Sequence, residues 1–115
     1  MSKELQDRTK KFSIDIINLV ENEATSYAKR VVIQQLIRSA TSVGANYRAA
    51  TRARSNREFI AKMNIVLEEI DECCFWLELI EEKKWKNVQT ELKEANELTA
   101  ICVSILKKMN AKMNS

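Results

Sequence analysis

The residues best suited to chemistry in this sequence lie in one segment, RSATSVGANYRAATRARSNR, at positions 38–57. The segment contains five arginines, the only glycine of the chain and no acidic residue. A glycine near arginines is compatible with a phosphate-binding loop, and arginines alone bind nucleic-acid phosphates through their charge. A phosphate-binding loop has several glycines ahead of a helix, whereas Gly44 stands alone inside a helical pattern. The sequence therefore argues against a glycine loop and leaves a helix that carries arginines.

Metal, redox and acid–base chemistry have few residues to use. The chain contains no histidine and three cysteines, Cys73, Cys74 and Cys102. Neighbouring residues on a helix point about 100° apart, so Cys73 and Cys74 are poorly placed to form a disulfide bond. Without histidine, a metal site lacks its commonest nitrogen ligand and an enzyme lacks its usual general base. We predict buried thiols, no metal site, no cofactor and no enzymatic activity.

The composition indicates one helical domain over residues 1–115. The chain has no proline, one glycine and 45% hydrophobic residues, which favours long helices over tight turns. It contains no run of about 18 apolar residues that could cross a membrane. No apolar stretch follows its first charges, as one would in a signal peptide. We predict a soluble, cytoplasmic protein with no membrane contact.

Apolar residues repeat with helical spacing in four segments of the chain. The segments lie at about 4–22, 27–53, 56–83 and 87–112. The connections between them are short, and short connections place successive helices side by side and antiparallel. The sequence therefore predicts an all-α fold, an antiparallel up-down-up-down four-helix bundle.

The third and fourth predicted helices have the most regular patterns. The third alternates apolar spacings of four and three residues, and Ser55 with Glu58 matches a capping box at its start. In the fourth helix, the same pattern predicts a buried stripe through Ala95, Thr99 and Cys102. These two helices are expected to supply much of the core.

The second predicted helix has two apolar seams side by side, more than the core of one bundle requires. Small residues are frequent there, so another helix is expected to come close, either inside the bundle or from a second subunit. Tyr47 lies on a seam and fits the core as well. Further apolar residues beside the stripe of the third helix would stay exposed in a single chain. We predict a homo-oligomer, with these candidate interface residues: Arg38, Gly44, Tyr47, Trp76 and Leu79.

The charges divide the predicted bundle into two ends. An up-down topology brings together residues 1–11, 48–62 and 107–115, and we call this set the basic end. It contains twelve Lys or Arg and three acids, a net charge of +9. The rest of the chain has a net charge of −6, so the overall value of +3 hides a strong asymmetry.

The register of the second helix against the third determines which arginines lie level with acidic residues. With the turn near Ser55, Arg38 lies level with Glu72, whereas Arg48 lies level with Lys62. The acids of the third helix therefore do not reach the arginines near the turn. Those arginines remain available for another partner.

Two functions are compatible with this layout. The basic end could contact RNA or DNA phosphates, whose binding depends on Lys and Arg. Alternatively, the chain is a structural or protein-partner module whose arginines pair with acids of a neighbouring subunit, such as Glu68, Glu69 and Glu72. The residues predicted to bind phosphates are Arg48, Arg52, Arg54, Arg57, Lys62, Lys107, Lys108 and Lys112.

The segment at positions 38–79 resembles a known family. Its runs TSVGANYRAA, SNREFIAK and FWLEL match, in order, the four-helix-bundle proteins named after intervening sequences in 23S rRNA genes. The resemblance implies a small bacterial protein that assembles as a ring, a homopentamer. A related protein, the accessory variability determinant of diversity-generating retroelements, is a basic pentamer that binds nucleic acid and a reverse transcriptase. By analogy, the expected partners are a nucleic acid and a protein such as a reverse transcriptase.

Overall fold

Four helices make up most of residues 3–114, the part of the chain that the computed structural model describes. They are α1 (Lys3–Val20), α2 (Tyr27–Thr51), α3 (Asn56–Glu82) and α4 (Gln89–Asn114). Each helix packs against the next and α4 returns to α1, in a bundle measuring 51 × 22 × 21 Å. The predicted all-α, up-down-up-down four-helix bundle is confirmed over this range. Residues 1, 2 and 115 of the predicted domain lie outside the described residues.

Serine caps fix where α2 and α3 begin. The backbone N–H of Lys29 donates to Ser26 Oγ (3.2 Å), and that of Glu58 donates to Ser55 Oγ (3.0 Å). The Glu58 carboxylate accepts from the backbone N–H of Arg54 (3.4 Å), one residue before the position that an ordinary capping box uses. The predicted start of α3 is correct, and the short turn before it sets the register of α2 against α3.

The C-terminus of α3 is closed by a Schellman turn. Lys84 adopts a left-handed conformation with φ 59°, and its N–H donates to the Glu81 carbonyl (2.9 Å). The N–H of Trp85 donates to the Ile80 carbonyl (3.0 Å), which completes the motif. The half-buried Trp85 side chain packs against the core at this end, so it covers the α3–α4 turn.

The core takes one broad apolar stripe from each helix, and the prediction for α4 needs one correction. Leu98 is completely buried, whereas Thr99 is half-buried and its hydroxyl donates to the Ala95 carbonyl (2.8 Å). The larger apolar side chain turns inward because its removal from water stabilises the fold more. The predicted burial of Ala95 and Cys102 is confirmed, and at this one position Leu98 replaces Thr99 in the stripe.

The three cysteines lie in this core as free thiols. Burial raises the pKa of Cys102 to about 11 and also raises the pKa of Cys73 and Cys74. No cluster of three or more potential metal ligands occurs within residues 3–114. No helix in the described range has both the length and the apolar character needed to cross a lipid bilayer.

Candidate nucleic-acid interface

Three segments distant in the sequence meet at the predicted basic end. The start of α1, the α2–α3 turn and the last turns of α4 lie together, where Leu5, Phe59 and Met109 line one cavity. The antiparallel order of the helices causes this meeting, because alternate connections fall at the same end of the bundle. The other end contains the α1–α2 and α3–α4 connections, where Val20, Glu23 and Trp85 lie together.

Most of the side chains predicted to bind phosphates are exposed. The exposed ones are Arg48, Arg52, Arg54, Arg57, Lys107, Lys108 and Lys112, while Lys62 is half-buried. Apart from Lys112, none of these side chains forms an ion pair with a residue of the 3–114 range. The positive charge of the residues other than Lys112 is therefore not neutralised by ion pairs within the described chain.

The cations of α1 behave differently from those of the turn. Arg8 makes two hydrogen bonds of 2.7 Å to the Glu94 carboxylate of α4, which raise the pKa of its guanidinium. Lys3 pairs with Asp7 at 3.2 Å on the helix surface. Lys10 is exposed and forms no ion pair with a described residue. Within α1, Lys10 therefore resembles the cations of the α2–α3 turn.

Arg38 is engaged by acids of its own chain. Its guanidinium lies 3.0 Å from the Glu69 carboxylate and 2.5 Å from that of Glu72. The hydrogen bond from Arg38 holds the pKa of Glu72 below its usual value, and the Trp76 indole N–H also donates to this carboxylate (3.3 Å). The predicted level of Arg38 with Glu72 is confirmed. Both acids are therefore paired with Arg38 within the chain, and a role of Arg38 at a subunit interface stays a prediction.

Gly44 marks a close approach of α1 to α2. A Cβ atom at Gly44 would lie 2.9 Å from Ser13 Oγ and 3.4 Å from the Thr9 carbonyl oxygen. The Ser13 hydroxyl donates to the Ala40 carbonyl at 2.6 Å, so it holds the two helices together at this point. The predicted close approach is confirmed as packing inside the bundle. This contact within the chain accounts for the glycine, and a role of Gly44 at a subunit interface stays a prediction.

Tyr47 belongs to the core. Its side chain is only 1% exposed, and burial raises the pKa of its phenol. A residue with so little accessible surface cannot make an extensive contact with a second subunit. Its assignment to a subunit interface is therefore corrected, and the alternative interpretation of Tyr47 as a core residue is the right one.

A groove of about 430 Å³ runs between α1 and α2 beside this close approach. Its floor contains Ser13, Gly44 and Ala45, and its edges carry Lys10 from α1 and Arg48 from α2. The small floor residues leave space between the two long cationic side chains. Lys10 belongs to the basic end but is not among the residues predicted to bind phosphates, because the sequence does not show how α1 is rotated relative to α2.

An apolar patch lies on the outer surface of α3. Phe75 is 54% exposed, and its ring meets that of Trp76 edge to face, with 5.0 Å between the centroids. Trp76 and Leu79 were expected to stay exposed beside the main stripe, and they are half-buried in the chain. Phe75 was missed by the sequence analysis, although its spacing of four from Leu79 places both on one helix face.

The chain is similar to a known protein family and to a solved structure. The model of the 23S rRNA-intervening sequence protein family matches residues 2–111. The chain belongs to this family. A solved structure from Bacteroides thetaiotaomicron VPI-5482, described as a protein with unknown function from the S23 ribosomal protein family, is similar to it.

That similarity covers 89% of this chain and 97% of the other, with 32% sequence identity and a TM-score of 0.83. The relationship to this family member therefore extends through all four helices and not only the central pair. No curated protein matches the chain. The family resemblance predicted from positions 38–79 is confirmed.

Proposed function

We propose that this family member is a non-enzymatic homo-oligomer whose basic end binds the phosphates of a nucleic acid. The observation that carries the proposal is the group of exposed cations around the α2–α3 turn and α4 that lack carboxylate partners in the described chain. Cations without internal partners attract polyanions most strongly, and binding releases the counterions of the phosphates.

The groove between α1 and α2 supports this proposal. Lys10 and Arg48 stand on its two edges, and the floor between them is made of small side chains. A sugar–phosphate backbone is a narrow chain of anions, so it fits a shallow channel with cations on both sides. Asp7 also lines the groove, where its charge is offset by Lys3. Arg52, one turn beyond Arg48, continues the cationic edge of α2 toward the turn.

The aromatic side chains near this surface are not arranged for base stacking. Tyr47 and Phe59 are the aromatics of the described residues nearest the basic end, and both are buried. Binding through phosphates without stacking positions the nucleic acid but reads little of its sequence. We therefore expect RNA and DNA of various sequences to bind with similar affinity at the same salt concentration.

Self-association is the second part of the proposal. The patch of Phe75, Trp76 and Leu79 exposes apolar surface on α3, which a second copy of the chain would cover. Five subunits are favoured by the family resemblance. Several copies would also place several basic ends on one particle, which strengthens binding to a long polyanion. Sedimentation at micromolar concentration tests this part, and a monomeric mass would contradict it.

Binding is tested by fluorescence anisotropy with labelled single-stranded RNA and double-stranded DNA over a range of salt concentrations. Affinity is expected to fall steeply with salt. The double variant Arg48→Gln with Arg52→Gln should weaken binding and reduce the salt slope by about two, because about one phosphate contact is lost per residue. The fold should remain intact, since arginine and glutamine have similar helix propensities.

The matched control removes two positive charges from the opposite end, through Lys83→Gln with Lys84→Gln. Both lysines are exposed, and neither forms an ion pair with another described residue. This variant should bind nucleic acid almost as well as the unmodified protein. If the unmodified protein shows no binding at low salt, the nucleic-acid function is wrong. If the arginine variant dissociates into monomers, the arginines serve assembly, as in a structural or protein-partner module.

A further inference from the structure

A second concave site lies at the basic end, apart from the groove between α1 and α2. It is a cavity of about 550 Å³ formed by the start of α1, the α2–α3 turn and the end of α4. The buried residues Leu5, Ala50 and Phe59 line it, and the half-buried Ile105 and Met109 of α4 add an apolar wall. Small-molecule sites in proteins have volumes of about 300–1,000 Å³ and mostly apolar walls. The cavity has the size and lining of such a site.

Two cations line the same cavity. Arg54 comes from the α2–α3 turn and Lys108 from α4, and both are exposed. Neither side chain forms an ion pair with a residue of the described range. The hydroxyls of Thr51 and Ser55, which also line the cavity, are engaged with backbone groups of the turn. The exposed Asn56 and the buried Tyr47 also line the cavity. The charge at the cavity is therefore cationic, and it lies beside apolar walls.

A nucleobase suits this arrangement poorly. The edge of a base needs several hydrogen-bond partners, whereas the buried lining residues Leu5, Ala50 and Phe59 are apolar. The polar lining residues Arg54, Asn56 and Lys108 are exposed. No buried side-chain nitrogen or oxygen atom in the described chain lacks a hydrogen-bond partner. A buried base edge would lose its bonds to water without replacement, which disfavours binding. The arrangement suits a molecule whose body has no polar groups and whose one end is an anion.

We infer that this cavity binds a free amphiphilic monocarboxylate, with its carboxylate between Arg54 and Lys108. A chain of about eight to twelve carbons would lie against Leu5, Phe59 and Met109, where its removal from water drives binding. A charge-assisted contact with each cation would fix the head. The cavity is separate from the groove between α1 and α2, although its cations Arg54 and Lys108 also belong to the set proposed to bind phosphates. Octanoate binding is measured without nucleic acid, so its outcome is independent of that function.

The free molecule is favoured over a lipid in a bilayer. Among the large apolar side chains that are exposed in the described range, only Met113 lies at this end of the bundle. The surface around the cavity therefore lacks the apolar rim that insertion into a membrane requires. A single chain from solution needs no such rim.

Isothermal titration calorimetry on the full chain with octanoate tests the inference. Titrations with 1-octanol, which has only the chain, and with acetate, which has only the head, are the reference measurements. Octanoate should bind at least about tenfold more tightly than either, because only octanoate uses both the walls and the cations. Octanoate should also raise the melting temperature, since it binds the folded state.

Two double variants distinguish octanoate binding in the cavity from attraction by the overall positive charge of the basic end. Arg54→Gln with Lys108→Gln should lower octanoate affinity about tenfold and leave 1-octanol affinity unchanged, since charge-assisted bonds are lost. The matched control, Arg57→Gln with Lys107→Gln, removes the same residue types from the same end but outside the cavity lining. Its octanoate affinity should stay close to that of the unmodified protein.

A third variant, Ala53→Leu, places a larger side chain in the cavity without changing charge. It should weaken binding of both octanoate and 1-octanol, and its melting temperature without ligand shows whether it folds. The inference is wrong if octanoate gives neither heat nor a rise in melting temperature at millimolar concentration. It is also wrong if octanoate binds no better than 1-octanol, or if both charge variants lower affinity equally. Stronger binding to phosphatidylglycerol vesicles than to octanoate would assign the surface to a membrane instead.

Discussion

The two sides of α2 differ in whether their arginines form ion pairs within the chain. On the side toward α3, Arg38 is held by Glu69 and Glu72 at 3.0 and 2.5 Å. On the side toward α1, the helices are held by backbone proximity at Gly44 and by the Ser13 hydroxyl. Arg48 stands beside that contact and has no acid partner within residues 3–114. One helix therefore carries both a closed, paired face and an open, cationic face.

The difference comes from register together with helix spacing. The α2–α3 turn places Glu69 and Glu72 of α3 level with the middle of α2, while Glu58 lies at the turn and accepts from the Arg54 backbone. Arg48, in the last turn of α2, forms no ion pair with a described residue. On the other side, a tight contact that depends on a glycine and a hydroxyl needs no ion pair. The cations at its edges are free to serve another molecule. A packing contact without ion pairs therefore leaves the neighbouring cations free to bind another molecule, whereas an ion pair would neutralise them.

The largest expected effect is on the α1 side. Gly44→Leu should lower the free energy of unfolding by about 1–3 kcal/mol, because the new side chain meets the backbone of α1. The gain in helix propensity, about 1 kcal/mol, acts in the opposite direction. Ala45→Leu, at the neighbouring exposed position, is the control and should change stability by no more than about 0.5 kcal/mol. Urea unfolding followed by circular dichroism measures both, and a more stable Gly44→Leu variant would contradict the contact.

The next effect concerns the turn that sets the register with α3. Ser55→Ala should cost about 0.5–2 kcal/mol, because the Glu58 N–H loses its side-chain acceptor. Ser104→Ala, at an exposed position inside α4, should be neutral or slightly stabilising. Thermal unfolding of the pair provides the comparison. Equal melting temperatures for the two variants would show that the cap does not hold the turn.

A third change gives Arg48 the kind of partner that Arg38 already has. Ala45→Glu places a carboxylate three residues before Arg48 on the floor of the groove. If the proposed function is right, nucleic-acid affinity should fall by about three- to tenfold, since the new charge repels phosphates and pairs with the cation. Ala45→Gln has nearly the same shape and no charge, so it should bind far better than Ala45→Glu. Anisotropy titrations at one salt concentration are sufficient, and equal affinities for the two variants would argue against the groove.

The smallest effect lies on the paired side. Arg38→Gln should cause a small loss of stability at pH 7, because Arg38 lowers the pKa of Glu72 in the folded state. A carboxyl with a lowered folded pKa stabilises the protein above its unfolded value of about 4.3, and this contribution disappears as pH falls through the folded value. The melting temperatures of variant and unmodified protein should therefore converge as the pH falls below the lowered pKa of Glu72 in the folded state. Arg48→Gln should show no such pH-dependent difference, and a constant gap for Arg38→Gln would rule out Glu72 as the cause.

The sequence was sufficient for the fold because each helix is long and strongly periodic. Four stripes without proline, with a serine cap before α3, define helix number, direction and register. The level of Arg38 with Glu72 followed from that register alone. The error at Leu98 arose because both Leu98 and Thr99 fit a helical stripe, and only contacts with the other helices distinguish them.

The candidate site was less predictable, because it depends on how each helix is rotated about its axis. Periodicity could not show whether the tight contact at Gly44 came from α1 or from another subunit. For the same reason it assigned Tyr47 to an interface and overlooked Lys10 and Phe75. These questions are decided by the packing of neighbouring helices, which a single sequence describes only indirectly.

The buried thiols can report how often the helices of the bundle separate. Cys73 and Cys74 lie in α3 and Cys102 in α4, so a thiol reagent gains full access only after these helices separate. Their raised pKa values keep them as unreactive thiols while the bundle is closed. The rate of labelling by a coloured disulfide reagent therefore reports how often the α3–α4 half opens. Any bound molecule or added subunit that holds the bundle closed will lower the rate of thiol labelling.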